Sequence, residues 1–312
     1  MNRAYAVMMS IICRLAAPLA GLVGVSVAAS AAWADQPHAW QLDLQAPATE
    51  IMHQIRWFEH YTLWFIVPVT LFVLALLIVV AVKFRAARNP NPSRVSHNAI
   101  IEVVWTLAPV LILFLLAIPS FNLLNAQLEI PKTDMTVKAT ATQWQWNYEY
   151  EGSGKGDNAQ PVAFDSYLLK DQDRAAAGKE DRAVYPRLLA VDNEMVIPVG
   201  KTVRLLVTSA PTDVIHAFAM PAFGVKIDAV PGRLNETWFR AEREGLYYGQ
   251  CSELCGKDHA FMPIAIRVVP QEKYDAWLTA AANDLPGAYK ALLASTDSNI
   301  ADDLRVAAND VK

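Results

Sequence analysis

Apolar residues are concentrated in three blocks near the N-terminus, and the rest of the chain mixes apolar and polar positions. The second block, Thr62 to Val82, and the third, Val103 to Leu128, contain no charged residue. Each is long enough to cross a bilayer, because a transmembrane helix needs about 20 apolar residues. Neither has the polar face of a soluble helix. The pattern predicts a transmembrane helical hairpin over residues 62–126, with a connecting loop over residues 83–101.

The first apolar block, Leu15 to Val27, is shorter and has different flanks. Two arginines precede it, and the small-residue sequence Ala-Trp-Ala ends at residue 34. This arrangement is typical of a secretory signal peptide. We expect residues 1–34 to be cleaved off, with a retained anchor helix as the alternative. Cleavage would remove Cys13, one of the three cysteines in the chain.

Charges beside the hairpin predict its orientation. The connecting loop carries four basic residues and no acid, whereas residues 35–61 carry four acids and a single base, Arg56. Basic loops stay on the cytoplasmic side of a membrane. We therefore expect residues 35–61 to form an outer N-terminal arm and residues 127–312 to lie on the same outer side.

The outer part of the chain is acidic. The chain as a whole has 312 residues and a net charge of −4, and residues 127–312 carry 20 basic and 26 acidic residues. An acidic surface attracts basic proteins and repels nucleic acid. The charge pattern therefore favours a basic soluble partner and no nucleic acid.

Short strands are predicted after the hairpin. Alternating or β-branched runs separated by Pro, Gly and Asn occupy residues 135–150, 202–209, 236–240, 245–250 and 263–270. This spacing predicts an all-β sandwich or barrel over residues 127–270. A polar, charge-rich insertion over residues 152–187 interrupts it. Residues 271–312 are expected to form a helix, from Gln271 to Asn283, and a flexible tail.

The sequence GQCSELCGKDHAFM, residues 249–262, combines two cysteines, a histidine and a methionine. Thiolate and thioether sulfur suit copper, and imidazole suits copper, zinc and iron. Zinc sites rarely use methionine, iron–sulfur clusters need more thiolates or a histidine pair, and covalent haem needs C-x-x-C-H. Copper fits best if a second histidine joins, and His216 follows the predicted strand at residues 202–209. A disulfide between Cys251 and Cys255 is the alternative in an exported domain.

Four motifs together carry a family resemblance: QWQWNYEY, VDN, IHAFAMPAFGVKIDAVPGRLNETWF and YYGQCSELCGKDHAFMPI. With them, the chain from Trp40 to about Trp277 resembles subunit II of bacterial cytochrome c oxidases. The resemblance implies a hairpin in the inner membrane and a cupredoxin-like Greek-key sandwich in the periplasm. That sandwich would hold CuA, a centre of two copper ions.

The resemblance also implies the metal ligands. Six groups would bind copper: two bridging thiolates, two imidazoles, a weak thioether and a weak backbone carbonyl. In that order they belong to Cys251 and Cys255, His216 and His259, Met262, and Glu253. The side chain of Glu253 would reach a magnesium ion shared with subunit I, since carboxylates suit Mg²⁺. The chain itself would bind no haem.

Further roles follow from the same resemblance. Trp144 would receive the electron from cytochrome c, and Glu102 would stand at the mouth of a proton channel. The acids expected to dock cytochrome c are Glu149, Asp192 and Asp228. Many relatives have an aromatic residue where this chain has Gln145, so an extended aromatic patch is not expected.

The predicted function is therefore that of an electron-accepting oxidase subunit. Electrons would pass from cytochrome c through CuA to haem in subunit I, where O₂ is reduced to water and protons are pumped. The hairpin would contact the lipid bilayer, subunit I and subunit III. The alternatives are a CuA-bearing nitric oxide reductase subunit, an exported copper chaperone or thiol–disulfide protein, and a quinol-oxidase subunit without the copper ligands.

Overall fold

Two long helices followed by a β-sandwich make up most of the chain in this computed structural model. The structure describes residues 34–38, 40–152 and 161–295. All of them belong to one of the two units into which backbone contacts divide the chain, residues 33–297. The predicted signal peptide, except for Ala34, and residues 296–312 lie outside the described residues.

The hairpin consists of helix α1, Glu50–Lys83, and helix α2, Ala99–Leu128. Large apolar side chains point outward along both, such as Phe72 with 63% of its surface exposed. With 34 residues, α1 is about 50 Å long at 1.5 Å per residue, more than the ~30 Å of a hydrocarbon core. The helix begins earlier than the predicted apolar block, so residues 50–61 of the predicted arm are helical.

Capping residues explain where both helices start. The Thr49 hydroxyl accepts a hydrogen bond from the Met52 N–H at 3.1 Å. Asn98 does the same for α2, where its Oδ1 accepts from Ile100 N at 3.1 Å. Glu102 completes this cap, because its Oε1 accepts from Asn98 N at 3.3 Å. Such caps satisfy amide groups that have no partner within the helix.

The start of α1 is bonded to the sandwich. Thr49 Oγ1 donates to the Phe223 carbonyl at 2.8 Å, and Ala48 N donates to the Ala222 carbonyl at 2.9 Å. At Gly224, where φ is +69°, an added Cβ would lie 2.6 Å from the Ile55 side chain. A residue without a side chain is therefore required at this close approach.

The sandwich contains eleven strands in the described part of the chain. They are β1 Ala34–Asp35, β2 Met135–Thr142, β3 Gln145–Tyr150, β4 Val162–Ser166, β5 Met195–Pro198, β6 Thr202–Ser209, β7 His216–Met220, β8 Val225–Ala229, β9 Asn235–Arg240, β10 Gly245–Cys251 and β11 Pro263–Val269. One sheet has the order β5-β11-β10-β7-β8, with β1 also paired to β10, and the other has the order β4-β3-β2-β6-β9. The predicted β-sandwich is confirmed.

Aromatic residues from one face of β3 fill the space between the sheets. Trp146, Tyr148 and Tyr150 are almost completely buried, as expected for residues two apart on a strand. Trp144 precedes β3 and is only partly buried. The aromatic motif thus supplies three core residues and one residue near the surface.

The predicted insertion contributes to the fold. Its strand β4 pairs antiparallel with β3 and forms the edge of the second sheet. After β4 come a 3-10 turn, Asp171–Asp173, and a short helix α3, Arg174–Ala177. Residues 153–160 of the insertion lie outside the description.

Two helices follow the last strand. Helix α4, Gln271–Ala281, matches the predicted terminal helix, and helix α5 covers residues 285–295, where the sequence predicted a flexible tail. Trp277 of α4 and Tyr289 of α5 both pack against Phe164 of β4, with ring centroids 6.2 and 6.1 Å away. This aromatic packing attaches both helices to the sandwich.

Candidate metal centre

The candidate copper ligands come from one end of the first sheet. His216 begins β7 and Cys251 ends β10, and these antiparallel strands pair at Cys251 and Phe218. The loop after β10 carries Cys255 and leads into a 3-10 turn, His259–Phe261. Met262 follows at once, before β11. The topology therefore brings a distant histidine to a ligand-rich loop.

Donor atoms are arranged around two sulfur atoms. Cys251 Sγ and Cys255 Sγ lie 3.9 Å apart. His216 Nδ1 is 3.8 Å from Cys251 Sγ, and His259 Nδ1 is 3.5 Å from Cys255 Sγ. The weaker donors follow the same division, with the Glu253 carbonyl 3.4 Å from Cys251 Sγ and Met262 Sδ 3.5 Å from Cys255 Sγ. Each thiol thus has one imidazole and one weak donor beside it.

This donor set fits a pair of soft metal ions. Because a metal–thiolate bond is ~2.3 Å long, one ion can contact both sulfurs at a separation of 3.9 Å. Disulfide sulfurs would be ~2.05 Å apart, and both cysteines are free. Sulfur and imidazole ligands of this kind select copper over hard ions such as magnesium.

Most of the candidate ligands are shielded from solvent, whereas His259 is only partly buried. His216, Cys251, Cys255 and Met262 are all buried. Burial raises the pKa of the Cys255 thiol to about 12, and the neighbouring Cys251 adds to the rise. Burial also lowers the pKa of His216, although Asp213 opposes this. A bound cation favours the thiolate, so metal binding would release protons from this site.

Trp144 is bonded to the loop that carries the thiols. Its indole Nε1 donates to the Cys255 carbonyl at 3.2 Å, and Gln143 Nε2 donates to the same oxygen at 2.7 Å. At Gly256 an added Cβ would lie 3.0 Å from the Trp144 ring. Lys257 Nζ lies 5.6 Å from the centroid of that ring. The tryptophan is therefore held against the candidate metal centre.

The three predicted docking acids have different surroundings. Glu149 is paired with Lys138 at 2.8 Å. Asp192 is partly buried, which raises its pKa, and its Oδ1 accepts from Tyr167 N and Asn193 N at 2.7 Å each. Asp228 is exposed on β8. Of the three, Asp192 is the one whose carboxylate caps backbone amides.

Glu102 and the side chain of Glu253 are not among the clustered donors. Glu102 lies in the first turn of α2, and the rest of the helix separates it from the sandwich by about 40 Å at 1.5 Å per residue. The Glu253 side chain is exposed, while its backbone carbonyl faces Cys251. Sequence reasoning missed Asp213 and Gln143, whose contacts appear only once the strands are assembled.

Fold and site together define a membrane-anchored β-sandwich protein with a buried sulfur and imidazole centre. The family model described as the cytochrome c oxidase subunit II periplasmic domain matches residues 135–269, and the model of its transmembrane domain matches residues 37–123. The chain belongs to the cytochrome c oxidase subunit II family. The hairpin accordingly lies in the membrane and the sandwich in the periplasm.

Curated relatives are similar in sequence to this protein over most of its length. It is 44% identical over 259 residues to a probable cytochrome c oxidase subunit 2 of Rickettsia bellii, covering 83% of this chain and 91% of the relative. It is 40% identical over 282 residues to cytochrome c oxidase subunit 2 of Cereibacter sphaeroides, covering 84% and 89%. A crystal structure of the periplasmic domain of subunit II from Bradyrhizobium japonicum is similar with 56% identity and a TM-score of 0.41, covering 49% of this chain and 96% of that one.

Proposed function

We propose that this chain holds a CuA centre and receives electrons there from cytochrome c. One observation carries the proposal: the two thiols of Cys251 and Cys255 lie 3.9 Å apart, and each has its own imidazole beside it. His216, His259, Met262 and the Glu253 carbonyl would complete the ligand set. Copper held by these residues would supply one-electron transfer.

The protein's own contribution is a preformed and largely buried site. Strands β7 and β10 hold His216 and Cys251 in fixed positions, and the buried ligands exclude water. Preformed geometry reduces the reorganisation that accompanies a change of charge.

Trp144 is proposed as the residue at which the electron enters. Its ring is partly exposed, and its indole N–H is hydrogen-bonded to the Cys255 carbonyl at 3.2 Å. This contact gives a direct bonded connection between the protein surface and a thiol residue. Glu149, Asp192 and Asp228 would attract the basic face of cytochrome c, and salt would weaken that attraction.

The remaining roles require other subunits. We propose that subunit I, with its haem, receives the electron and reduces O₂ to water with proton pumping. The exposed carboxylate of Glu253 would bind magnesium at the contact with subunit I, and Glu102 would stand at the mouth of a proton channel. The outward apolar faces of α1 and α2 would contact lipid, subunit I and subunit III.

Replacing Trp144 tests the electron route. In the purified oxidase complex, Trp144→Phe should slow electron transfer from reduced cytochrome c by at least about tenfold, equivalent to about 1.4 kcal/mol in the activation free energy. Trp40→Phe, at a tryptophan that is 97% exposed, is the control and should leave the rate unchanged. Stopped-flow absorbance of cytochrome c measures the rate, and copper content is checked in parallel.

Equal rates for Trp144→Phe and the wild type would contradict the proposed route. Comparing O₂ and nitric oxide as oxidants in the same complex separates the main proposal from the nitric oxide reductase alternative. Consumption of O₂ with reduced cytochrome c as donor is the expected result.

A further inference from the structure

One ring nitrogen of His216, Nε2, does not face the candidate metal centre. Its Nδ1 faces Cys251 Sγ at 3.8 Å, which leaves Nε2 on the opposite side of the ring. Nε2 is buried and forms no hydrogen bond among the described residues. A buried polar atom without a hydrogen-bond partner costs free energy, so this nitrogen requires a partner.

Asp213 is the acidic group beside that nitrogen. Its Oδ1 lies 3.5 Å from His216 Nε2, slightly beyond the length of a formed hydrogen bond. The Asp213 side chain is only 13% exposed. A small rotation of either side chain would bring the two atoms into hydrogen-bonding range.

The position of the Asp213 carboxylate is itself fixed. Its Oδ1 accepts from Val214 N at 2.7 Å, and its Oδ2 accepts from Gln143 N at 2.9 Å. Gln143 immediately precedes Trp144, so the same carboxylate contacts the turn that presents the indole. These backbone bonds hold the carboxylate near its site without using up its capacity to accept hydrogen bonds.

We propose that Asp213 is a positioning residue that accepts the Nε2–H of His216 and so presents Nδ1, with its lone pair, to the metal. A neutral imidazole carries one proton, and an acceptor at Nε2 selects the tautomer in which Nδ1 is free to bind. The carboxylate also fixes the rotation of the ring. This inference rests on the proposed metal centre for its purpose, but the contact itself is a property of the chain.

The tautomer of His216 is the direct test, since it can be read without copper. The full-length chain, labelled with ¹⁵N-histidine and kept metal-free, is compared by ¹⁵N NMR as wild type, Asp213→Ala and Asp213→Asn. The His216 signals are assigned by their loss in His216→Gln. In the wild type the Nε2–H tautomer should dominate, and in Asp213→Ala the tautomer ratio should fall about tenfold.

Asp213→Asn is the conservative variant. It keeps an oxygen acceptor and should retain the wild-type tautomer, which a purely structural role of the residue would not explain. Asp171→Asn, at an exposed acid of the insertion, controls for the loss of a negative charge. An unchanged tautomer ratio in Asp213→Ala would overturn the proposal.

Copper loading then separates this inference from the proposed function. If the wild type binds two coppers, Asp213→Ala should shift the reduction potential and the copper hyperfine pattern, and Asp213→Asn should restore most of both. If the wild type binds no copper pair, the proposed function fails, while the tautomer ratios of the metal-free chains still decide the role of Asp213.

Discussion

Glu194 is the centre of a buried charged network behind the first sheet. It is almost completely buried and pairs with Lys179, at 2.9 Å, and with Arg267. Arg267 also donates to the Tyr185 hydroxyl at 2.8 Å, and the Tyr289 hydroxyl donates to the Glu194 carbonyl. One residue thus connects the insertion, strand β11 and helix α5.

This network contains one carboxylate, Glu194, and two cations, Lys179 and Arg267. Burial acts to raise the pKa of Glu194, but Arg267 and Lys179 outweigh it and lower the pKa to about 2. Burial lowers the pKa of Lys179 despite Glu194, and Arg267 adds to that lowering. Because two cations share one carboxylate, Glu194 stays ionised and Arg267 is its dominant partner.

Acid should weaken the fold through Glu194. The pKa of Glu194 in the folded protein is about 2, against an ordinary value of 4.5, so its contribution to stability is complete above pH ~4.5 and is lost as pH falls towards 2. Denaturant midpoints of the full chain, followed by tryptophan fluorescence between pH 7 and pH 3, measure this. The midpoint of the wild type should fall more steeply over the acid range than that of Glu194→Gln.

At neutral pH, Glu194→Gln removes the buried carboxylate that pairs with Lys179 and Arg267. We expect a loss of about 3–5 kcal/mol in the free energy of unfolding, as for other broken buried ion pairs. Glu236→Gln is the control, since its pair with Arg204 is 45% and 41% exposed and such pairs contribute at most about 1 kcal/mol. Equal losses in the two variants would show that burial of the network contributes nothing.

At the residue scale, the sequence indicates the candidate copper ligands better than it indicates the residues that hold those ligands in place. Cys251, Cys255, His259 and Met262 stand close together in the chain, and soft donors in that spacing indicate copper. His216 is a weaker candidate from the sequence, because it lies 35 residues before Cys251 and only its place after a predicted strand and the resemblance indicate it. Asp213 carries no such signal, since an acid near a histidine is common and its contact with Gln143 depends on the assembled sheets.

The junction between α1 and the sandwich is the element whose geometry depends most on one residue. An alanine Cβ at Gly224 would meet Ile55 at 2.6 Å and the Met52 backbone at 3.3 Å. Gly224→Ala should therefore displace α1 or strain the turn, at a cost of about 1–3 kcal/mol. Thermal unfolding of the full chain measures the loss.

Gly200→Ala is the matched control for this junction. Gly200 has a similar backbone conformation, with φ +74°, but nothing lies within 4 Å of an added Cβ. The Gly200→Ala variant therefore measures the loss of stability caused by an alanine at positive φ without a steric clash. Adding Ile55→Ala to Gly224→Ala should recover part of the difference, and a double variant no more stable than Gly224→Ala would contradict the steric explanation.

Among the elements, those with strong periodicity are the ones that the sequence predicts. The charge-free runs of α1 and α2 and the aromatic alternation of β3 are unambiguous. The start of α1 at Glu50 is missed because residues 50–61 include charged side chains and so fall outside the charge-free run that predicts the helix. Strand β4 was missed since its polar surroundings resemble a loop, and pairing with β3 decides its conformation.

On the scale of the whole molecule, the two sheets contribute different residues to the candidate metal centre. The first sheet supplies His216 and Cys251 and frames the ligand loop. The second supplies Trp144 through the turn before β3, and hydrogen bonds at the Cys255 carbonyl join the two. Contacts between segments so far apart in the chain cannot be predicted from local sequence patterns. The resemblance to the family is what indicates that these residues lie together.

The most direct test of the account is the state of copper in the full chain. The purified protein is loaded with copper, its metal content is measured, and its electron paramagnetic resonance spectrum is recorded. The proposed CuA centre should give two coppers per chain and the signal of one unpaired electron, split by both copper nuclei, and this signal should be lost in Cys251→Ser and Cys255→Ser. A single copper with hyperfine splitting from one nucleus, or a chain that binds copper equally well without these thiols, would contradict it.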